Sequence, residues 1–244
     1  MINIKKFLRL LFLISNKSVI NLIANSNFIG DGIVTVNHLP WKTDTTLFNA
    51  FNKSFENIPL KYESLRSIYF RAHIVSFCAN SVSKVPGDFV ELGTWYGVLA
   101  KTICNQATLV SGRNFYLVDP FGEPGFKMTG RYKLGSYQED IFDIVKLRFR
   151  NDNSVKLIRG VVPEILNSIP SSKVALLLID MNSGEPELKA LEFFWSKIPT
   201  GGVVYFDDYA QNFPELRHNI DVFFQDKSEK LLVFPTGQAI VIKL

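Results

Sequence analysis

Gly87-Asp88-Phe89-Val90-Glu91-Leu92-Gly93-Thr94-Trp95-Tyr96-Gly97 is the stretch that decides the fold. Pro86-Gly87 closes a helical pattern, and Asp88–Leu92 reads as a short apolar strand. Gly93 lets the backbone turn sharply and approach a ligand. Gly97 opens the next helix, whose free N–H groups face the same space. The spacing is E-x-G-x-x-x-G, without the third close glycine of the G-x-G-x-x-G dinucleotide loop. Such a loop suits a nucleotide-like ligand, or is a tight strand-to-helix turn with nothing bound.

Outward from this loop, strands and helices alternate. A helix over 97–109 leads to the strand Phe115–Asp119. A Gly/Pro-rich loop, Pro120 to Gly135, has the length of a lid, and a helix follows near Tyr137–Phe149. Val155–Arg159 is a third strand and Pro163–Ile169 a short helix. Val174–Asp180 is apolar on both faces, as a central parallel strand should be. A helix over 185–198, with Pro186 in its first turn, precedes the strand Gly202–Asp207. A helix over 214–224 is followed by Leu231–Phe234 and Ala239–Ile242, which flank the turn Pro235-Thr236-Gly237-Gln238. Repeated βα units predict an α/β fold: a Rossmann-like, doubly wound, mostly parallel sheet with a C-terminal antiparallel hairpin. Upstream, apolar residues from Leu65 to Val82 recur at helical steps, giving a helix over 62–83. Residues 27–61 read as irregular. The chain divides into an N-terminal helical extension, 1–61, and one domain, 62–244.

The 244 residues are 47% hydrophobic and 20% charged, which excludes a disordered chain and allows a sizeable core. Net charge is +4, and Lys5, Lys6, Arg9 and Lys17 against Asp31 put +3 of it in the first 40 residues. The nearly neutral remainder argues against a nucleic-acid binder. Arg9 interrupts the apolar run Phe7–Ile14, so that segment reads as an amphipathic helix rather than a cleaved leader. It would pack on the domain, on a partner or on a membrane surface. Cys78 and Cys104 form no metal or disulfide pattern, and the expected location is cytoplasmic.

Chemistry concentrates at predicted strand ends. Asp119 could accept hydrogen bonds from two ribose hydroxyls, or cap the turn at Pro120. Gly160 lies just past the third strand. Asp180 closes the fourth strand, and Asp207 and Asp208 close the fifth, so three carboxylates share one rim of a parallel sheet. Like charges that close raise one another's pKa, and a divalent cation removes the conflict. Oxygen ligands suit Mg²⁺ or Ca²⁺, and no His or Cys nearby favours zinc. The alternative is that these aspartates are helix and loop caps. His38, His73 and His218 are isolated, and no Ser-His-Asp or Cys-His pattern occurs.

The Gly87–Gly97 stretch resembles the first motif of class I S-adenosylmethionine-dependent methyltransferases, and is most similar to the macrocin O-methyltransferase family, which methylates antibiotic sugars. The similarity continues through Ile179–Ser183, Glu187, Ala190–Trp195, Gly201-Gly202, Asp207-Asp208-Tyr209 and Pro235–Gln238. The resemblance implies that Glu91, Gly93, Thr94 and Gly97 hold the amino-acid and ribose parts of S-adenosylmethionine, and Asp119 its ribose diol. Arg159, Gly160 and Val161 would lie near the adenine. Asp180, Asp207 and Asp208 match the family's Mg²⁺ ligands. Asn182 stands where the macrocin enzymes carry a second carboxylate, and Ser183 where catechol-type enzymes carry a lysine. Asp180 and Asn182 are thus the candidate catalytic pair, with the base unidentified and a catechol acceptor disfavoured.

The resulting expectation is a Mg²⁺-dependent O-methyltransferase acting on a hydroxyl of a sugar, glycan or glycosylated metabolite. An NAD-dependent oxidoreductase and a non-catalytic partner protein of the same fold are the alternatives. The missing third glycine and the three aspartates count against the first, and the intact loop and acidic triad against the second. The expected partners are a small-molecule or glycan substrate, a contact through the basic N-terminus, and in some form a second copy of the chain.

Overall fold

The computed structural model describes residues 17–106, 110–122, 139–211 and 214–244. The apolar run at 7–14 and most of the lid loop lie outside them.

Seven strands form one sheet: β3 (Asp88–Leu92), β4 (Phe115–Asp119), β5 (Val155–Arg159), β6 (Val174–Ile179), β7 (Val203–Phe206), β8 (Leu232–Val233) and β9 (Ala239–Ile242). Their order is β5-β4-β3-β6-β7-β9-β8. β3 through β7 pair in parallel, while β9 pairs antiparallel with both β7 and β8. The expected Rossmann-like sheet with an antiparallel C-terminal hairpin is therefore present. The order reverses at β3, between β4 and β6, where a doubly wound sheet opens a crevice at its carboxyl edge.

Alternation along the strands builds two cores. Phe89, Phe115, Leu117, Leu176, Leu178, Val203 and Tyr205 face one side. There they pack against α2 (Thr45–Lys53), α3 (Tyr69–Ser81), α4 (Val98–Cys104) and α5 (Phe142–Phe149). Val90, Leu92, Val118, Leu177, Ile179, Val204 and Phe206 face the other, against α6 (Gly184–Trp195) and α7 (Pro214–Phe224). β6 is buried at every position, as the central strand of a two-sided sheet must be.

Several element limits differ from the pattern read in the sequence. The helix over 62–83 is a 3₁₀ segment, Leu60–Ile68, that passes into α3. α4 ends at Cys104, α5 starts at Phe142, and Pro163–Ile169 keeps only a 3₁₀ turn, Leu166–Ser168. Residues 27–61 are not irregular. After α1 (Lys17–Ala24) they hold the hairpin β1 (Phe28–Gly30) and β2 (Ile33–Thr35), a 3₁₀ turn at Pro40–Thr43, and α2. Asp44 caps α2 by accepting from the Thr46 and Leu47 N–H groups at 2.9 and 3.0 Å. Leu47, Phe51 and Phe55 are buried in the same core as Phe89 and Leu117.

One buried cation ties these parts together. Arg148 of α5 donates to the carbonyls of Tyr96 (2.8 Å), Ser54 (2.6 Å) and Glu56. The end of α2 is thereby fastened to the loop after β3. Burial without a carboxylate among these partners pulls the guanidinium down to about 10. Arg148→Met would orphan three carbonyls, at about 1–3 kcal/mol for each that water cannot reach. We expect thermal unfolding of the variant to fall by roughly 10 °C in a melt followed by circular dichroism. A fall under about 3 °C would mean that solvent replaces the guanidinium.

Candidate active site

The parallel register sets the site. Leu92 pairs with Val118 and Ile179, and Ile179 pairs with Phe206. The next residues, Gly93, Asp119, Asp180 and Asp207, therefore leave the sheet side by side. They border a cavity of about 420 Å³. Of the residues singled out in the sequence, Glu91, Gly93, Thr94, Gly97, Asp119, Gly160, Val161, Asp180, Asn182, Asp207 and Asp208 all line it. Arg159 is the exception. Its guanidinium donates to Asp140 Oδ2 (2.8 Å) and the Pro120 carbonyl (3.2 Å), and it lies 5.2 Å from the Phe142 ring centre. It braces the start of α5 instead of facing the cavity.

Gly93 is glycine for a more local reason than ligand approach. Its φ is +89°, and a Cβ there would lie 1.8 Å from the Asp180 carbonyl oxygen. Gly97 sits at φ +67°, and a Cβ would press on the Phe149 ring at 2.8 Å. Between them Trp95, at φ 47°, donates its backbone N–H to Asp119 Oδ2 at 2.8 Å. Asp119 Oδ1 accepts from the Phe121 N–H at 2.6 Å. Asp119 is thus a loop cap as well as a cavity wall. Burial pushes its carboxyl up to about 6, against the pull of those two N–H groups.

Glu91 is 3% exposed, and burial pushes it up to about 8. Its Oε2 and the Thr94 Oγ1 are buried, and a hydrogen bond with the Thr94 side chain pulls the Glu91 carboxyl down against the push of burial. Glu91 and Thr94 both line the cavity beside the glycine loop.

The other end of the cavity is acidic. Carboxylate oxygens of Asp180, Asp207 and Asp208 lie within 4.8 Å of one another. Burial, then the two neighbouring aspartates, drive Asp180 far above the usual range. Burial and Asp207 push Asp208 up to about 8, against the pull of the Arg71 charge and of a hydrogen bond from the Asn182 backbone. Asn182 holds that position at φ 54°, in the left-handed region asparagine tolerates. Glu187, 1% exposed in α6, accepts from the Met181 and Ser183 N–H groups at 3.2 and 3.3 Å and so shapes the loop that carries Asn182.

Sequence reasoning missed two participants. Arg71 of α3 lines the cavity, donates to Asp207 Oδ2, and grips both oxygens of Asp31 at 2.7 and 2.6 Å. Tyr205 donates its hydroxyl to Asp207 Oδ1 at 2.5 Å. One signal was available: Arg71 stands three residues after Ile68 and four before Val75, on the apolar stripe of its helix. A charge there needs a buried partner.

Residues 90–209 match the family model described as a methyltransferase domain. The match falls on the strands and loops that build the cavity. The demethyldecarbamoylnovobiocin O-methyltransferase of Streptomyces niveus is 29% identical to the chain, over 52% of this chain and 54% of its own length. The chain spans little more than half the length of the curated relatives it matches. The domain's fold recurs in CalS11, a TDP-rhamnose 3'-O-methyltransferase of calicheamicin biosynthesis. That match has a TM-score of 0.55 and 19% identity, and covers 85% of this chain and 96% of the other. It recurs also in SAH-bound PaMTH1 of Podospora anserina, with a TM-score of 0.56, 12% identity, and coverage of 82% and 88%.

The fold carries Glu91 at a cost that depends on pH. Folded Glu91 keeps its proton up to about 8, whereas a free glutamate releases it near 4.5. Stability supplied by the neutral carboxyl is complete at low pH and is lost as pH rises through that window. Glu91→Gln should therefore raise the melting temperature of the ligand-free protein by roughly 5 °C at pH 9 and by much less at pH 5. An equal change at both pH values would contradict the assignment of that cost to the buried charge.

Proposed function

We propose that the chain is an S-adenosylmethionine-dependent O-methyltransferase whose acceptor is a hydroxyl of a sugar, glycan or glycosylated metabolite, with Mg²⁺ at the acidic rim. The observation that carries this reading is that one cavity holds the glycine-loop wall and the three aspartates at adjoining strand ends. The donor chemistry fits both groups. Glu91 and Thr94 bring buried polar atoms to the cavity wall, where an amino-acid moiety could hydrogen-bond them. Three carboxylates this close are stable together when a hard cation lies among them.

Bound S-adenosylmethionine supplies a methyl group on a sulfonium, and bound Mg²⁺ supplies charge that lowers the pKa of an acceptor hydroxyl. In this reading Glu91 and Thr94 anchor the amino-acid end, and Gly93 and Gly97 keep the loop backbone close. Asp119 retains lone pairs for the ribose hydroxyls beyond its two cap bonds. Gly160 and Val161 wall the adenine, and Arg159 acts only by bracing that corner. Asp180, Asp207 and Asp208 would hold the cation at the rim. Asn182 can orient that acceptor by hydrogen bonding but, as an amide, cannot take its proton. Residues 62–244 are the catalytic domain in this reading and 1–61 its cap. A sugar acceptor is favoured by the likeness to CalS11, a methyltransferase of TDP-rhamnose. A cytoplasmic location follows from a cofactor made inside cells.

The test uses glycan and nucleotide-sugar fractions with methyl-labelled S-adenosylmethionine. Asp180→Asn, or chelation with EDTA, should lower turnover about a thousandfold, since several kcal/mol of charge stabilisation are lost. S-adenosylhomocysteine binding by calorimetry should change little, and Mg²⁺ should restore the chelated enzyme. Full turnover in EDTA would overturn the metal role, and failure of S-adenosylhomocysteine to bind the intact protein would overturn the reading as a whole.

A further inference from the structure

Asp31 lies in the turn between β1 and β2, far in sequence from the acidic rim, yet one side chain separates the two. The Arg71 guanidinium is shared: one face grips both Asp31 oxygens, at 2.7 and 2.6 Å, and another nitrogen reaches Asp207 Oδ2. The three side chains are 9%, 16% and 3% exposed, so water screens their charges poorly. Asp31 holds φ 48° beside Gly32 at φ 79°, the two-residue Asp-Gly turn that joins β1 to β2.

We propose that Asp31 and Arg71 together set the affinity of the acidic rim for its divalent cation. The proposal rests on the Mg²⁺ reading above. A lone guanidinium beside Asp207 would repel an incoming cation. Asp31, held on the other face of the guanidinium, cancels that charge. If Arg71 alone is removed, Asp31 becomes a fourth uncompensated carboxylate near the rim. The two residues therefore act on cation affinity with opposite signs. A pair that merely fastened the hairpin to α3 would act with the same sign, because losing either partner would loosen the same contact. Arg71 acts here through its charge beside Asp207, and the N-terminal hairpin becomes an electrostatic part of the site.

Mn²⁺ is the probe, with free ion followed by electron paramagnetic resonance on the full-length protein. Asp31→Asn should weaken binding roughly tenfold, and Arg71→Met should tighten it roughly tenfold, as expected for one unit charge at short range in a partly buried site. The double variant should return to within about threefold of wild type. A circular dichroism spectrum and melt check that each variant is folded. Should Arg71→Met fail to fold alone, the comparison of Asp31→Asn with the double variant decides: recovery supports the proposal, and a double variant as weak as Asp31→Asn overturns it. Single variants that both weaken binding, or that leave it unchanged, overturn it too while the metal reading stands. A wild-type protein that takes up no Mn²⁺ overturns the metal reading and this proposal with it.

Discussion

The meeting of two strand ends governs this molecule. Gly93, leaving β3, lies so close to the Asp180 carbonyl at the end of β6 that no side chain fits between them. The neighbouring strands are adjacent and parallel, and Asp180 N–H donates to the Leu92 carbonyl at 2.9 Å. That contact brings the glycine loop and the first aspartate of the acidic rim into one cavity. A bulkier residue at position 93 would push the two halves of the site apart before it met any ligand.

The same closeness makes the site electrostatically costly. Glu91, Asp119, Asp180, Asp207 and Asp208 all line the cavity, and all are held above the ordinary carboxylate range, with burial the largest cause in each. Arg71 is the one cationic side chain among the described lining residues. Its charge is divided between Asp31 and Asp207. The protein tolerates this because two apolar cores, one on each face of the sheet, hold the strand ends in register. Buried carboxylates with shifted pKa values are arrangements that proteins keep where a ligand or an ion repays them.

Legibility in the sequence followed the range of the interactions. The βα repeat, the all-apolar β6 and the strand-terminal aspartates are local patterns, and the parallel register then dictates that they converge. Gly93 was recognisable as a special position, but its cause, contact with Asp180, is a pairing across 87 residues. The helix α2 was hidden because Asp44 and Leu47 lie in a polar stretch whose burial depends on α3 and α4. Arg159 looked like a rim residue by position, yet position does not tell which way a long side chain turns. The Asp31–Arg71–Asp207 chain joins three distant segments and leaves only one local trace, a charge on an apolar helix stripe.

The account stands or falls on whether one cavity takes both groups, and crystals grown with S-adenosylhomocysteine and Mn²⁺ measure this directly through anomalous scattering. A manganese peak ligated by Asp180, Asp207 and Asp208, with the nucleoside against Asp119 and the Gly93–Gly97 loop, is the predicted result. A nucleoside bound elsewhere, or a rim with no anomalous peak while Arg71 alone neutralises the aspartates, would contradict it.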